Sequence, residues 1–118
     1  MSLIVNTYIR TPDGRMDIID VDHSEELAGF ERCRQDLWGH EAVRALGLAL
    51  LPTLAEGDIY AEGDAVGQLE SDTQRLLTHV TAVAEATRYT TEFITQRCQN
   101  ILSAIRHARE IGGGVVIW

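Results

Sequence analysis

The sequence contains no lysine; all ten of its basic residues are arginine. It is also poor in cysteine and proline, with two of each, and aromatic residues make up only 6% of the chain. Each scarcity excludes something. Cys33 and Cys98 belong to no Cys-x-x-Cys pair, which removes the zinc and dithiol motifs and leaves two reduced, partly buried thiols as the reading. No apolar run approaches the roughly 20 residues that cross a bilayer; the longest, Ala45 to Leu51, is interrupted by Gly47. Met1 to Asn6 lacks the basic leader and cleavage site of a secretory signal, so a cytoplasmic, soluble protein is expected. There is no Gly-x-Ser-x-Gly elbow and no His-Glu-x-x-His pair. The glycine run Gly112-Gly113-Gly114 follows a helical pattern instead of opening one, so it is not a phosphate loop.

What is present is acid. Eighteen Asp and Glu give the chain a formal charge of −8. Residues 1–72 hold fifteen acids against five arginines, a balance of −10, whereas residues 73–118 hold three against five, a balance of +2. Such a split attracts cationic partners and repels nucleic acid. The 118 residues, 45% of them hydrophobic, suit one domain with one core, spanning 1–118.

The pattern along the chain predicts a two-layer α+β fold. Leu3, Val5, Thr7 and Ile9 alternate with Ile4, Asn6, Tyr8 and Arg10, the period of a strand. Thr11-Pro12-Asp13-Gly14-Arg15 is turn chemistry, and Met16 to Val21 returns as the second strand of a hairpin. Asp22, or Ser24, then reads as a helix cap with Glu25 as its reciprocal partner, opening a helix with Leu27, Phe30, Cys33 and Leu37 on its apolar stripe. Gly39 ends or bends it, and Glu41 to Leu46 reads as a second, short helix. Pro52 excludes a regular helix interior from Leu51-Pro52-Thr53-Leu54. Glu56 to Asp64 reads as an acidic loop.

Two further helices follow. Val66, Leu69, Thr73, Leu76, Val80 and Val83 form one seam, and Ile94, Cys98, Ile101, Ile105 and Ala108 form another. Residues 88–91 supply a break and a Thr cap, so the two should run antiparallel and face to face. After the glycine stop, Val115 to Trp118 is an apolar strand expected to pair beside the first strand. The fold class is thus a small, mostly antiparallel sheet, the N-terminal hairpin plus the C-terminal strand, packed against a helical layer with a long antiparallel helix pair.

Sites for chemistry are sparse. Asp58 to Leu69 places Gly63 where a calcium loop has its glycine, but Tyr60 and Leu69 stand at positions that need oxygen ligands. His23, His40, His79 and His107 are scattered. Cys98 with His79 pairs a nucleophile with a base only in name, since Cys98 lies on an apolar seam. Arg97, Arg106 and Arg109 with His107 make the last helix's outer face basic, read as a solvated face. The leading reading is therefore a non-enzymatic, acidic protein-binding module needing no cofactor or metal. Its contact residues are Asp58, Tyr60, Glu62, Asp64, Glu70 and Asp72, with Tyr60 as the aromatic anchor. Two alternatives stand beside it: a structural homodimer joined through an open sheet face or terminal strand, and a small metal-binding or hydrolytic protein using His40, Asp58, Glu62 and Asp64.

The order of elements resembles small bacterial immunity proteins of polymorphic toxin systems. The resemblance is carried by Leu51-Pro52-Thr53-Leu54, by Asp58 and Tyr60 before Gly63-Asp64, by Gln68-Leu69-Glu70, and by the closing helix that runs into Gly113-Gly114-Val115-Val116-Ile117. It implies a stoichiometric inhibitor that covers the active site of a cationic toxin.

Overall fold

A computed structural model describes residues 2–19, 21 and 25–118. The alternating N-terminal segment forms β1 (Ser2–Arg10), and the Thr11–Arg15 turn returns the chain as β2 (Met16–Ile19). The turn is held as its chemistry predicts. The Thr11 carbonyl accepts the Gly14 N–H, the Thr11 N–H donates to the Arg15 carbonyl, and Gly14 takes a φ of +88°.

The chain then departs from the predicted helix. Leu27–Phe30 is a strand, β3, which pairs antiparallel with the first residues of β1 (Ser2 with Phe30, Ile4 with Leu27). Gly29 has a φ of +105°, a conformation that no right-handed helix contains. The i, i+3 spacing of Leu27, Phe30 and Cys33 imitates a helical stripe because strand and turn residues happen to fall on it. After β3 comes a π-helical turn, Arg34–Trp38, which buries Leu37 and Trp38 and ends at Gly39. The proposed cap residues Asp22 and Ser24 lie outside the described residues.

The short helix α1 (Glu41–Arg44) is capped by His40, whose Nδ1 accepts the Ala42 N–H at 3.0 Å. Leu51–Ala55 is a 3₁₀ turn with Pro52 in its first positions, where a missing N–H is harmless. The acidic stretch expected to be loop throughout contains a strand, β4 (Ile59–Ala61). Its burial alternates, with Ile59 and Ala61 inward and Tyr60 outward.

Three helices and a strand complete the chain: α2 (Asp64–Thr78), α3 (Val80–Thr87), α4 (Thr91–Ile111) and β5 (Gly114–Ile117). The first apolar seam is realised as two helices, because the chain leaves helical geometry at His79 (φ −110°, ψ 22°). Thr90 caps α4 by accepting the Phe93 N–H. Asp64 to Gly67 at the start of α2 lie beside Ala108 to Gly113 at the end of α4, and Glu70 and Gln74 lie beside Leu102 and Arg106, so the two run antiparallel.

The sheet order is β2-β1-β5-β4, with β3 sharing the β1 edge, and every pairing is antiparallel. As expected for an apolar terminal strand, β5 inserts beside β1, with Val5 opposite Ile117 and Thr7 opposite Val115. Val5, Val115, Ile117, Ile59 and Ala61 face the helices and join the main core with Leu69, Leu76, Ile94, Ile101 and Ile105. Thr7 donates its hydroxyl to the Ala104 carbonyl of α4, which fixes that face as the helical one.

Candidate protein interface

The sheet's other face carries Asn6, Tyr8, Val116, Tyr60 and Trp118, by alternation with the core positions. Tyr60 is 52% exposed and Trp118 39%. Their rings meet edge to face at 6.3 Å between centroids, a favourable aromatic geometry. Trp118 is anchored twice. Its backbone exchanges hydrogen bonds with Ile4, and its indole N–H donates to Asn6 Oδ1 at 3.0 Å. An aromatic pair is thus held rigidly on a sheet surface with much of its area open to water.

Beside it, Glu62 closes a clamp between strands. One oxygen, Oε1, accepts from the buried Tyr8 hydroxyl at 2.5 Å and from Arg10 Nη2 at 2.5 Å and Nε at 3.1 Å. Burial, reinforced by the Glu62 carboxylate, pushes the Tyr8 hydroxyl far above its ordinary range. The Tyr8 hydroxyl, and after it Arg10, holds the Glu62 carboxyl below its usual range. A phenol that firmly keeps its proton is a donor to Glu62 and not a base. The arrangement fastens β1 to the turn between β4 and α2.

The remaining acids proposed from sequence fall in different settings. Asp58 precedes β4 and accepts from Arg34 Nη2 at 2.6 Å. Asp64 is exposed in the first turn of α2. Glu70 lies further along α2 and pairs with Arg109 at 2.7 Å. Asp72 leaves the set. It is 5% exposed, and its carboxylate accepts from the backbone N–H groups of Ala49, Leu50 and Leu51. The structure therefore gathers Asp58, Tyr60, Glu62 and Asp64 along β4 and its exit, but buries Asp72.

Pairing also changes the meaning of the charge split. Glu56, Asp58, Glu62 and Glu70 each face an arginine: Arg44, Arg34, Arg10 and Arg109. Arg10, Arg34 and Arg44 are already counted in the −10 of residues 1–72, so only Arg109 brings positive charge across the split, and the pairing decides which acids are available more than how negative that part is.

His40 does not join the loop carboxylates. Its Nδ1 is occupied by the cap to Ala42, and no group of three or more His, Cys, Asp or Glu able to hold a metal exists among the described residues. Cys98 is buried, and burial raises its thiol to about 12. Among the described residues no helix is long and apolar enough to cross a membrane.

No known family model matches this chain. Neither a curated protein nor a solved structure shows significant similarity to it.

The sequence marks Tyr60 but not its neighbours. There Trp118 reads only as part of a terminal strand, and Asn6 only as an alternating residue. Alternation along Val115-Val116-Ile117-Trp118 already places Trp118 on one face with Val116. That it meets Tyr60 depends on β4 pairing with β5, which no local pattern announces.

Proposed function

We propose that this chain is a non-enzymatic protein-binding module that docks a cationic partner through the Tyr60–Trp118 face. The observation that carries the reading is the exposed, rigidly anchored aromatic pair on the side of the sheet away from the helices. Rings of this kind supply large contact area at low entropic cost and dominate interface energetics. Asp58, Glu62 and Asp64 supply the polar rim. Asp64 makes no ion pair among the described residues, whereas Asp58 and Glu62 can exchange their arginines for cations of a partner. The net charge of −8 favours encounter with a basic protein. The resemblance to immunity proteins gives this reading its specific form, a stoichiometric inhibitor seated on a basic toxin.

The test uses the intact chain as bait at low and at raised salt, beside Tyr60→Ala and Asp64→Asn. A basic partner retained at low salt, weakened by raised salt and lost with Tyr60→Ala supports the reading. Absence of any partner under both conditions overturns it. A second copy of the chain, detected by light scattering and removed by Tyr60→Ala, replaces it with the homodimer reading through the same face. For the immunity form, co-expression with a toxin encoded beside this chain must restore growth.

A further inference from the structure

A second surface of different character lies where β3 meets the start of α4. Tyr89 and Phe93 stack with centroids 5.0 Å apart and planes 15° apart. Phe30 continues the column, 6.3 Å from Phe93 with planes 18° apart. Guanidinium groups cover two of these rings: Arg97 sits 4.7 Å from the Phe93 centroid and Arg32 sits 5.2 Å from that of Phe30. The spacing of Phe93 and Arg97, one helical turn apart on α4, brings that pair together. Gly29 permits the approach of β3, since a Cβ there would stand 2.9 Å from Cys33 Sγ and 3.5 Å from the Phe93 ring.

Five of the ten arginines, Arg10, Arg15, Arg34, Arg44 and Arg109, each pair with a carboxylate. Among the described residues Arg32 and Arg97, like Arg75, Arg88 and Arg106, have no carboxylate partner, and of these five they are the two that stack on aromatic rings. Arg32 also leans toward the Tyr89 hydroxyl, and Asp36 acts on that hydroxyl through space, but Asp36 pairs with neither arginine. Arg97 Nε is buried without an acceptor. A guanidinium stacked by its face on a ring still presents an N–H edge, which for Arg97 is the pair of Nη groups because its Nε is closed off, and a carboxylate matches such an edge with two parallel hydrogen bonds. Phe30, 48% exposed, offers apolar area beside it.

We infer that Phe30, Phe93 and Tyr89 with Arg32 and Arg97 form a docking site for an acidic peptide segment of a partner protein, one carrying a carboxylate next to an aromatic side chain. The carboxylate takes the guanidinium edges and the aromatic group packs against the exposed part of Phe30. Unneutralised cations on an otherwise acidic chain decide the sign of the ligand. Overall charge decides its size. A long polyanion meets the repulsion of the whole surface, whereas a short segment senses mainly charges within the Debye length of about 8 Å. This site is separate from the Tyr60–Trp118 face and takes the opposite charge, so either assignment can fail without the other.

The test titrates the intact chain into a fluorescent peptide alternating glutamate and phenylalanine, and into the same peptide with glutamine for glutamate. Fluorescence anisotropy should show the glutamate peptide binding about tenfold tighter, with affinity falling as salt rises. Arg32→Gln and Arg97→Gln should each lower that affinity about fivefold or more while circular dichroism stays unchanged. Tyr60→Ala should leave it intact. Arg32 is exposed, so its variant serves even where Arg97→Gln perturbs folding. Equal affinity for the two peptides, or full binding by Arg32→Gln, overturns the assignment. Tighter binding of an oligothymidylate than of the glutamate peptide overturns it in favour of single-stranded nucleic acid.

Discussion

Asp72, on α2, accepts the backbone N–H of Leu50 at 2.6 Å, and the same carboxylate takes the N–H groups of Ala49 at 3.0 Å and Leu51 at 2.9 Å. Leu50 stands at the cap position of the Leu51–Ala55 turn and has no side-chain acceptor of its own. A residue more than twenty positions away thus does the work of a cap. Asp72→Ala leaves three N–H groups without this acceptor and should destabilise the chain by about 3 kcal/mol. Asp72→Asn keeps one acceptor oxygen and should cost less. Urea denaturation checks both, and a loss below about 0.5 kcal/mol for the alanine variant refutes the role.

Glu62 should make stability depend on pH in one direction. Its folded-state pKa is lowered, first by the Tyr8 hydroxyl and then by Arg10. The stabilisation is therefore present above the ordinary carboxylate range and is lost as pH falls through the lowered folded value. Glu62→Gln should be less stable than the wild type near about pH 7, and the gap should close toward about pH 3. Solvent screens this half-exposed pair, so the difference is small. A gap that is constant across the range contradicts the assignment.

The thiols should be silent in the native chain. Cys33 and Cys98 are both free and buried, and burial raises Cys98 to about 12. At neutral to mildly basic pH Cys98 therefore stays the unreactive thiol, before access is considered. A thiol reagent should label Cys98 only after denaturant is added, as read by peptide mass. Rapid native labelling of Cys98 would falsify its placement in the core.

Gly113 and Gly114 should resist substitution for reasons of space. A Cβ on Gly113 would lie 2.2 Å from the Tyr8 carbonyl oxygen, and one on Gly114 would lie 2.7 Å from the Ala61 carbonyl oxygen and from the Tyr8 ring. Either alanine variant should lower stability by about 3 kcal/mol. Gly57→Ala, where a Cβ meets nothing within 4 Å, should stay within about 0.5 kcal/mol. Thermal denaturation of the three variants separates the two cases.

Legibility from sequence followed the range of the interactions. The hairpin, α4 with a Thr cap and the insertion of β5 beside β1 could all be read, because periodicity or a stop residue marks each, whereas Pro52 excluded a regular helix without announcing the 3₁₀ turn. The segment from Leu27 to Leu37 misled, because apolar residues three and four apart arise equally from a strand running into a turn. Gly29 was the signal against a helix there. Strand β4 was invisible for a related reason. Three residues among glycines and acids, Ile59–Ala61, become a strand only when β5 offers its edge.

The same division holds for the candidate site. Tyr60 stood out as an aromatic group in an acidic stretch, and the structure exposes it. Asp72 looked like one more surface acid, yet the helix turns it inward onto distant backbone. Trp118 became the companion of Tyr60 only through sheet register.

By itself the sequence determined where chain direction changes, which residues have the periodicity of helix or strand, and the total charge, since these depend on neighbours a few positions apart. Tertiary structure alone decided which acids remain available, which aromatic rings face water together and which arginines lack a carboxylate. Those outcomes depend on groups brought together from distant positions, as when Arg34 finds Asp58 and Trp118 finds Asn6.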